Sequence, residues 1–265
     1  MEFLRIVRRR SFLSEGIYVL LNVALAIAVL VSILATGTPW LALLLVFLSK
    51  WRVLAVRPRY WFAHVEANMV DMIVSVGTVV LIYLAGQTVE SSGLSVQIGL
   101  SVLYTLWLLL LKPRTKVNDI ALQAGVSIII GTMALMSVSY EWPSSVVVVA
   151  MWLIGYSSAR HVLVSHTESD IRLLSLLSGF VFAEIGWIAY HWTIAYPLFF
   201  APQLKVPQLT LILAALSFLA ERAYHSYIKH DTIKRHDIML PLIFTVVLLA
   251  ALLLTRLNHA AIGTV

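Results

Sequence analysis

No cysteine occurs in the 265 residues, which excludes disulfides, thiolate nucleophiles and Cys-ligated metals. Charge is scarce too: Asp, Glu, Lys and Arg make up 12% of the chain, against roughly a quarter in a soluble globular domain. Catalytic signatures are missing as well. The chain has no Walker lysine, no dinucleotide-binding glycine fingerprint and no His-Glu-x-x-His. Gly155-Tyr-Ser-Ser158 approaches a nucleophile elbow but lacks the closing glycine and the strand that should precede it. The seventh apolar segment holds no lysine for a retinal-type Schiff base. Arg8, Arg9 and Arg10 precede an apolar run too long for a signal-peptide core, and no small-residue cleavage site follows. No catalytic residue, metal or cofactor is assigned on these grounds.

What the chain has in abundance is apolar surface. Its hydrophobic fraction is 60% and its mean hydropathy +0.91, so water is not the main solvent for this molecule. A helix needs roughly 20 apolar residues to cross the hydrocarbon of a bilayer. Nine spans are predicted, at 17–36, 39–56, 69–86, 94–111, 118–139, 143–159, 171–192, 206–227 and 238–257. Of nineteen Lys and Arg residues, seventeen fall at alternate ends of these segments, in the gaps or just inside the spans that border them, and the other ends hold only Lys205 and Arg256. Cationic residues resist translocation and bias their loops to the cytoplasm. The reading is therefore an all-α polytopic membrane bundle, N-terminus in and C-terminus out. It forms a single transmembrane domain over 1–265, with a basic cytoplasmic N-terminus at 1–16, the bundle at 17–257 and a short external tail at 258–265. The net charge of +6 resides in short interhelical loops. Orientation and affinity for anionic headgroups account for it, and nucleic acid is not read as a partner.

The second span has the shortest uninterrupted apolar core, Pro39 to Leu48. To cross, it borrows residues beyond Lys50 and Arg52, whose long stems are expected to snorkel to the headgroups. Residues 53–63 are read as an interfacial segment along the inner leaflet. The outer loop 193–205 is read as an aromatic, proline-stiffened stretch. Glu15, Asp71, Asp119, Asp170 and Asp237 each stand near the start of a helix rising from the cytoplasm. Capping and the positive end of the helix dipole explain them more simply than a ring of carboxylates does. Asn68 and Asp71 have N-cap-to-N3 spacing.

Two groups of residues are candidates for chemistry. Glu184 is the one acid placed deep in a span, roughly 12 Å below its outer end. Trp187 and His191 follow at three and seven positions on the same helix face. An acid at such depth usually faces the bundle interior, where it pairs or serves a pathway. Either Glu184 hydrogen-bonds a neighbouring helix, through Asn22, Gln97 or Gln123, or it forms a substrate or proton site. The second group is cytoplasmic: Glu221, Arg222, His225, His230, Asp231, His236 and Asp237. Its two His-Asp pairs are six residues apart, not the three or four that place two ligands on one helix face. A solvated mixed-charge loop is the simpler reading, and a metal is not assigned.

The segments Lys50-Trp-Arg-Val-Leu-Ala-Val-Arg-Pro-Arg-Tyr-Trp61, Ser158-Ala-Arg-His161 and Phe218-Leu-Ala-Glu-Arg222 resemble polytopic membrane proteins of uncharacterised activity from candidate-phylum bacteria such as Saccharibacteria. The resemblance implies a bacterial plasma membrane and carries no catalytic residue. Three functions fit the sequence: a small-solute permease, proton-linked through Glu184; a non-catalytic scaffold that binds a membrane-protein partner or a second copy; and a lipid-linked enzyme using the cytoplasmic His/Asp group. Membrane lipids are partners in all three.

Overall fold

The computed structural model describes residues 12–51, 55, 57–87, 92–166, 168–191, 194–198 and 201–262. Arg5, Arg8, Arg9, Arg10, Arg52 and Glu90 lie outside them. Among the described residues the chain forms nine helices: α1 (Phe12–Thr36), α2 (Trp40–Ser49), α3 (Trp61–Ala85), α4 (Ser92–Leu106), α5 (Val117–Val138), α6 (Ser144–Ser165), α7 (Ile171–Tyr190), α8 (Gln208–His230) and α9 (Arg235–Ile262). Seven, α4 together with its extension to Leu111 among them, are long and apolar enough to cross a membrane. The exceptions are α2, at 10 residues, and α8, whose 23 residues include Glu221 and Arg222. A π-helical turn, Trp107–Leu111, extends α4. The architecture is a polytopic membrane helical bundle.

Side-chain contacts fix the helix directions. Tyr18 on α1 meets Leu108 on α4, and Ala26 meets Ser101, so α1 and α4 are antiparallel. Gln123 with His161 and Ser127 with Ser158 make α5 and α6 antiparallel. Ser226 with Asp237, Thr245 with Ala215 and Gln208 with Leu252 do the same for α8 and α9. The loops 112–116, 166–170 and 231–234 therefore share one end, called here the basic end. Lys50, at the end of α2, and Lys112, at the end of α4, both pair with Asp71. That shared partner sets the end of α2 level with the end of α4, although α2 alone spans only ~15 Å at 1.5 Å per residue. The Ala55 N–H also bonds Trp51 O at 3.0 Å.

Several expectations are corrected here. Lys50 does not snorkel to the headgroups; it turns inward and is buried on Asp71. Asp71 is not a cap, because α3 begins ten residues earlier, at Trp61. Asn68 bonds the His64 carbonyl at 2.8 Å within the same helix. Glu15, Asp119 and Asp237 do lie in first turns, where the helix dipole favours them. Asp170 precedes α7 without a capping bond. Of the segment 53–63 read as interfacial, residues 53, 54 and 56 lie outside the described residues; Tyr60, Trp61 and Phe62 are exposed. The proline-stiffened segment between α7 and α8 forms an antiparallel pair, β1 (Ala195–Leu198) with β2 (Ala201–Pro207). It buries Ala201 and Leu204 against Leu81, Ala85, Met133 and Ala134 at the far ends of α3 and α5.

Candidate functional site

Helices α5, α6, α7 and α8 line a partly open cavity of about 550 Å³, within the ~300–1,000 Å³ of small-molecule sites. It exists because facing positions carry small residues: Ala121, Ala124 and Gly125 on α5, Ala159 on α6, Ala214 and Ser217 on α8. A Cβ added to Gly125 would meet nothing within 4 Å, so this glycine opens onto the void. Toward the hairpin end, Ile128 and Phe182 close the space. Behind them a packed cluster of Met136, Val147, Met151, Ile154, Leu209 and Leu213 forms a floor. Thr132 donates to Thr210 at 3.0 Å across that floor, which satisfies two buried hydroxyls.

Polarity is concentrated at the other end. Asn118, Glu221, Arg222 and Tyr224 line the cavity where α5 and α8 reach the basic end. Arg222 Nε lies 3.3 Å from Glu221 Oε2, with its guanidinium 5.4 Å from the Phe218 ring centroid. The Tyr224 hydroxyl donates to Glu168 Oε2 at 2.6 Å and ties the α6–α7 connection to α8. This hydrogen bond holds Glu168 below the usual carboxylate range. A depressed folded-state value supplies stability above the ordinary value of 4.5, and loses it as pH falls through the lower folded one. Tyr224→Phe is expected to return the Glu168 titration toward that ordinary value, read by NMR of ¹³C-carboxyl glutamate; an unaltered titration would count against the bond. His166 sits 5.3 Å from Tyr224 and 6.5 Å from His225, ring centroid to centroid. Burial first, and then the neighbouring His225, push its ring below the ordinary histidine value.

The cytoplasmic group predicted from sequence thus divides. Glu221 and Arg222 reach the cavity mouth, and His225 turns toward His166. Farther on, Ser226 donates to Asp237 at 2.7 Å, and His230 and His236 flank the same carboxylate at 3.6 and 3.7 Å. Those contacts close the α8–α9 turn, in which Asp231 takes the left-handed conformation at φ 54°. No three of these donors converge on a metal-sized site among the described residues.

Glu184, Trp187 and His191 do share one face, with Trp187 and His191 in edge contact at 5.4 Å. That face points out of the bundle: all three are exposed, among Phe180, Val181 and Ile188. The expected inward orientation is corrected. None of the partners proposed for Glu184 reaches it. Asn22 donates to Tyr18 O, Gln97 to Ile82 O, and Gln123 to Leu111 O and Arg114 O while accepting from His161.

A second polar constellation was not foreseen. Lys50 and Lys112 converge on Asp71 Oδ2, the latter at 2.8 Å, and Trp107 Nε1 donates to Asp71 Oδ1 at 3.1 Å. The lysine and aspartate side chains of the first pair are only 8% and 10% exposed, and Lys112 is 33% exposed. The π turn makes this possible. Residues five apart stand ~140° apart around an α-helix, whereas the Lys112 N–H bonds Trp107 O at 2.9 Å and stacks the two on one side. No protein-family model, curated protein or solved structure matches this chain.

Proposed function

We propose that the chain binds an amphiphile in the α5–α8 cavity and acts as a membrane carrier for it. One observation supports this reading above others: the cavity is apolar along its depth and open on its flank, with its charged lining residues, Glu221 and Arg222, gathered toward the basic end. An apolar tail would fill the space beside Gly125 and Phe182. A polar headgroup would remain with Asn118, Arg222 and Tyr224, where water and the headgroup layer supply the rest of its solvation. The small-solute permease is thereby narrowed to a lipid-like solute. Proton linkage through Glu184 finds no support in the cavity, which that residue does not line. The enzyme reading is weaker because the His and Asp residues of 221–237 are divided among separate contacts. The resemblance of residues 50–61, 158–161 and 218–222 is what supports a bacterial plasma membrane, with the basic end cytoplasmic.

The test is binding of a dansyl-labelled fatty acid to the detergent-purified protein. Gly125→Phe fills the void from a position where nothing stands in the way. It is expected to weaken binding at least about tenfold, about 1.4 kcal/mol, with thermal stability retained. Equal isotherms for the variant and the parent would remove the cavity from the proposal.

A further inference from the structure

We infer that the Lys50–Asp71–Lys112 triad is also a binding site for a phosphate-class anion, supplied by an anionic phospholipid of the adjoining leaflet. The charge count is the starting point. Two ammonium groups share one carboxylate, and no second acid pairs with either lysine among the described residues. The triad therefore carries one positive charge in excess while its Lys50–Asp71 half is nine-tenths buried. Each ammonium has three N–H donors, and the carboxylate uses one from each. An excess charge held away from water attracts an anion far more strongly than the same charge in solvent.

The position selects the ligand. Lys112 is the partly exposed member, at the point where α4 ends and the chain turns. On the same helix Leu103, Leu106 and Leu110 are exposed and apolar. A phospholipid would lay an acyl chain along that stripe and bring its phosphate to Lys112, so headgroup and tail are recognised by one element. The exposed Arg114 is already engaged, 3.3 Å from Asp119, and adds less to the site. Lys112 is the ligand-facing group; Lys50 holds Asp71 and sets the net charge.

The division of labour yields a variant that spares the fold. Lys112→Gln leaves a neutral Lys50–Asp71 pair, whereas loss of Asp71 would strand two cations. Binding is read by native mass spectrometry and by thermal shift, with phosphatidylglycerol, phosphatidylcholine and inorganic phosphate as separate probes. Phosphatidylglycerol is expected to bind the parent protein, and Lys112→Gln to bind it about tenfold more weakly, as for loss of a charge-assisted contact. Lys112→Arg is expected to retain binding, and Lys116→Gln to change it by no more than about twofold, because an exposed basic residue acts only through the surface potential. Equal responses to phosphatidylglycerol and phosphatidylcholine, or equal loss in Lys112→Gln and Lys116→Gln, would overturn the site. A full response to inorganic phosphate alone would keep the site but overturn the lipid as its source.

Discussion

Asp71→Ala is expected to destabilise the protein by about 3–5 kcal/mol, the cost of leaving buried charges without their partner. The carboxylate is the counter-charge for Lys50 and Lys112 and the acceptor for the Trp107 indole. It thereby joins the ends of α2 and α4 to the middle of α3. Asp71→Asn keeps the shape but removes the charge, so it should lie close to the alanine variant. The triple change Lys50→Met, Asp71→Leu, Lys112→Met removes all the charges together and should recover much of the loss, because an apolar replacement of a buried ion network is often neutral or stabilising. Thermal unfolding in detergent, or urea denaturation in mixed micelles, measures each. A loss below about 0.5 kcal/mol for Asp71→Ala, the range of an ordinary surface change, would show that the triad contributes nothing to the fold.

Gly155 and Gly125 should respond in opposite directions to the same added methyl. A Cβ on Gly155 would stand 2.5 Å from Phe182 Cγ and 2.6 Å from its Cβ, the inflexible base of that side chain. Gly179 meets Trp152 and Gly186 meets Met151 in the same way, so a row of glycines sets the close approach of α6 and α7. Gly155→Ala is expected to cost about 1–3 kcal/mol through overpacking, and Gly155→Leu the upper end or beyond. Gly125→Ala meets no neighbour within 4 Å and should gain about 0.5–1 kcal/mol, since alanine loses less backbone freedom in a helix. Parallel shifts in the two melting curves would refute the assignment of one glycine to the seam and the other to the void.

The helices were legible in the sequence because a long apolar run has one physical solution in a bilayer. The side-by-side placement of basic loops was legible because translocation is costly for cations. The triad was not. Lys50, Asp71 and Lys112 are far apart in the chain and meet only through tertiary packing, and the π turn that brings Trp107 and Lys112 onto one side leaves no compositional trace. The Asn68–Asp71 spacing places the start of the third span near 69, with Asp71 in a first turn. Once paired it is tolerated within the helix, and the true start at Trp61 follows. Extending the span back over Trp61–Val65 was the available signal. Glu184 failed for a different reason. Spacing shows which residues share a face with it, and the small residues Ser175, Gly179, Ala183 and Gly186 mark the buried face of α7, nearly opposite Glu184 at 100° per residue; that stripe was the signal to use. The cavity, made by what small side chains leave empty, has no motif at all.

The hairpin between α7 and α8 bears on sidedness. Ala201 and Leu204 seal the far ends of α3 and α5, and the Thr132–Thr210 contact lies between that lid and the void. The cavity is closed toward that lid but opens on its flank, where the lining residues Leu122, Ile129, Leu174 and Phe218 are exposed. An amphiphile of the kind proposed would then enter from the bilayer, between the helices, rather than from water. Passing a ligand through would require α8 to part from α5 at the threonine pair. On the proposed reading, unless that happened, a guest would enter and leave through the same leaflet.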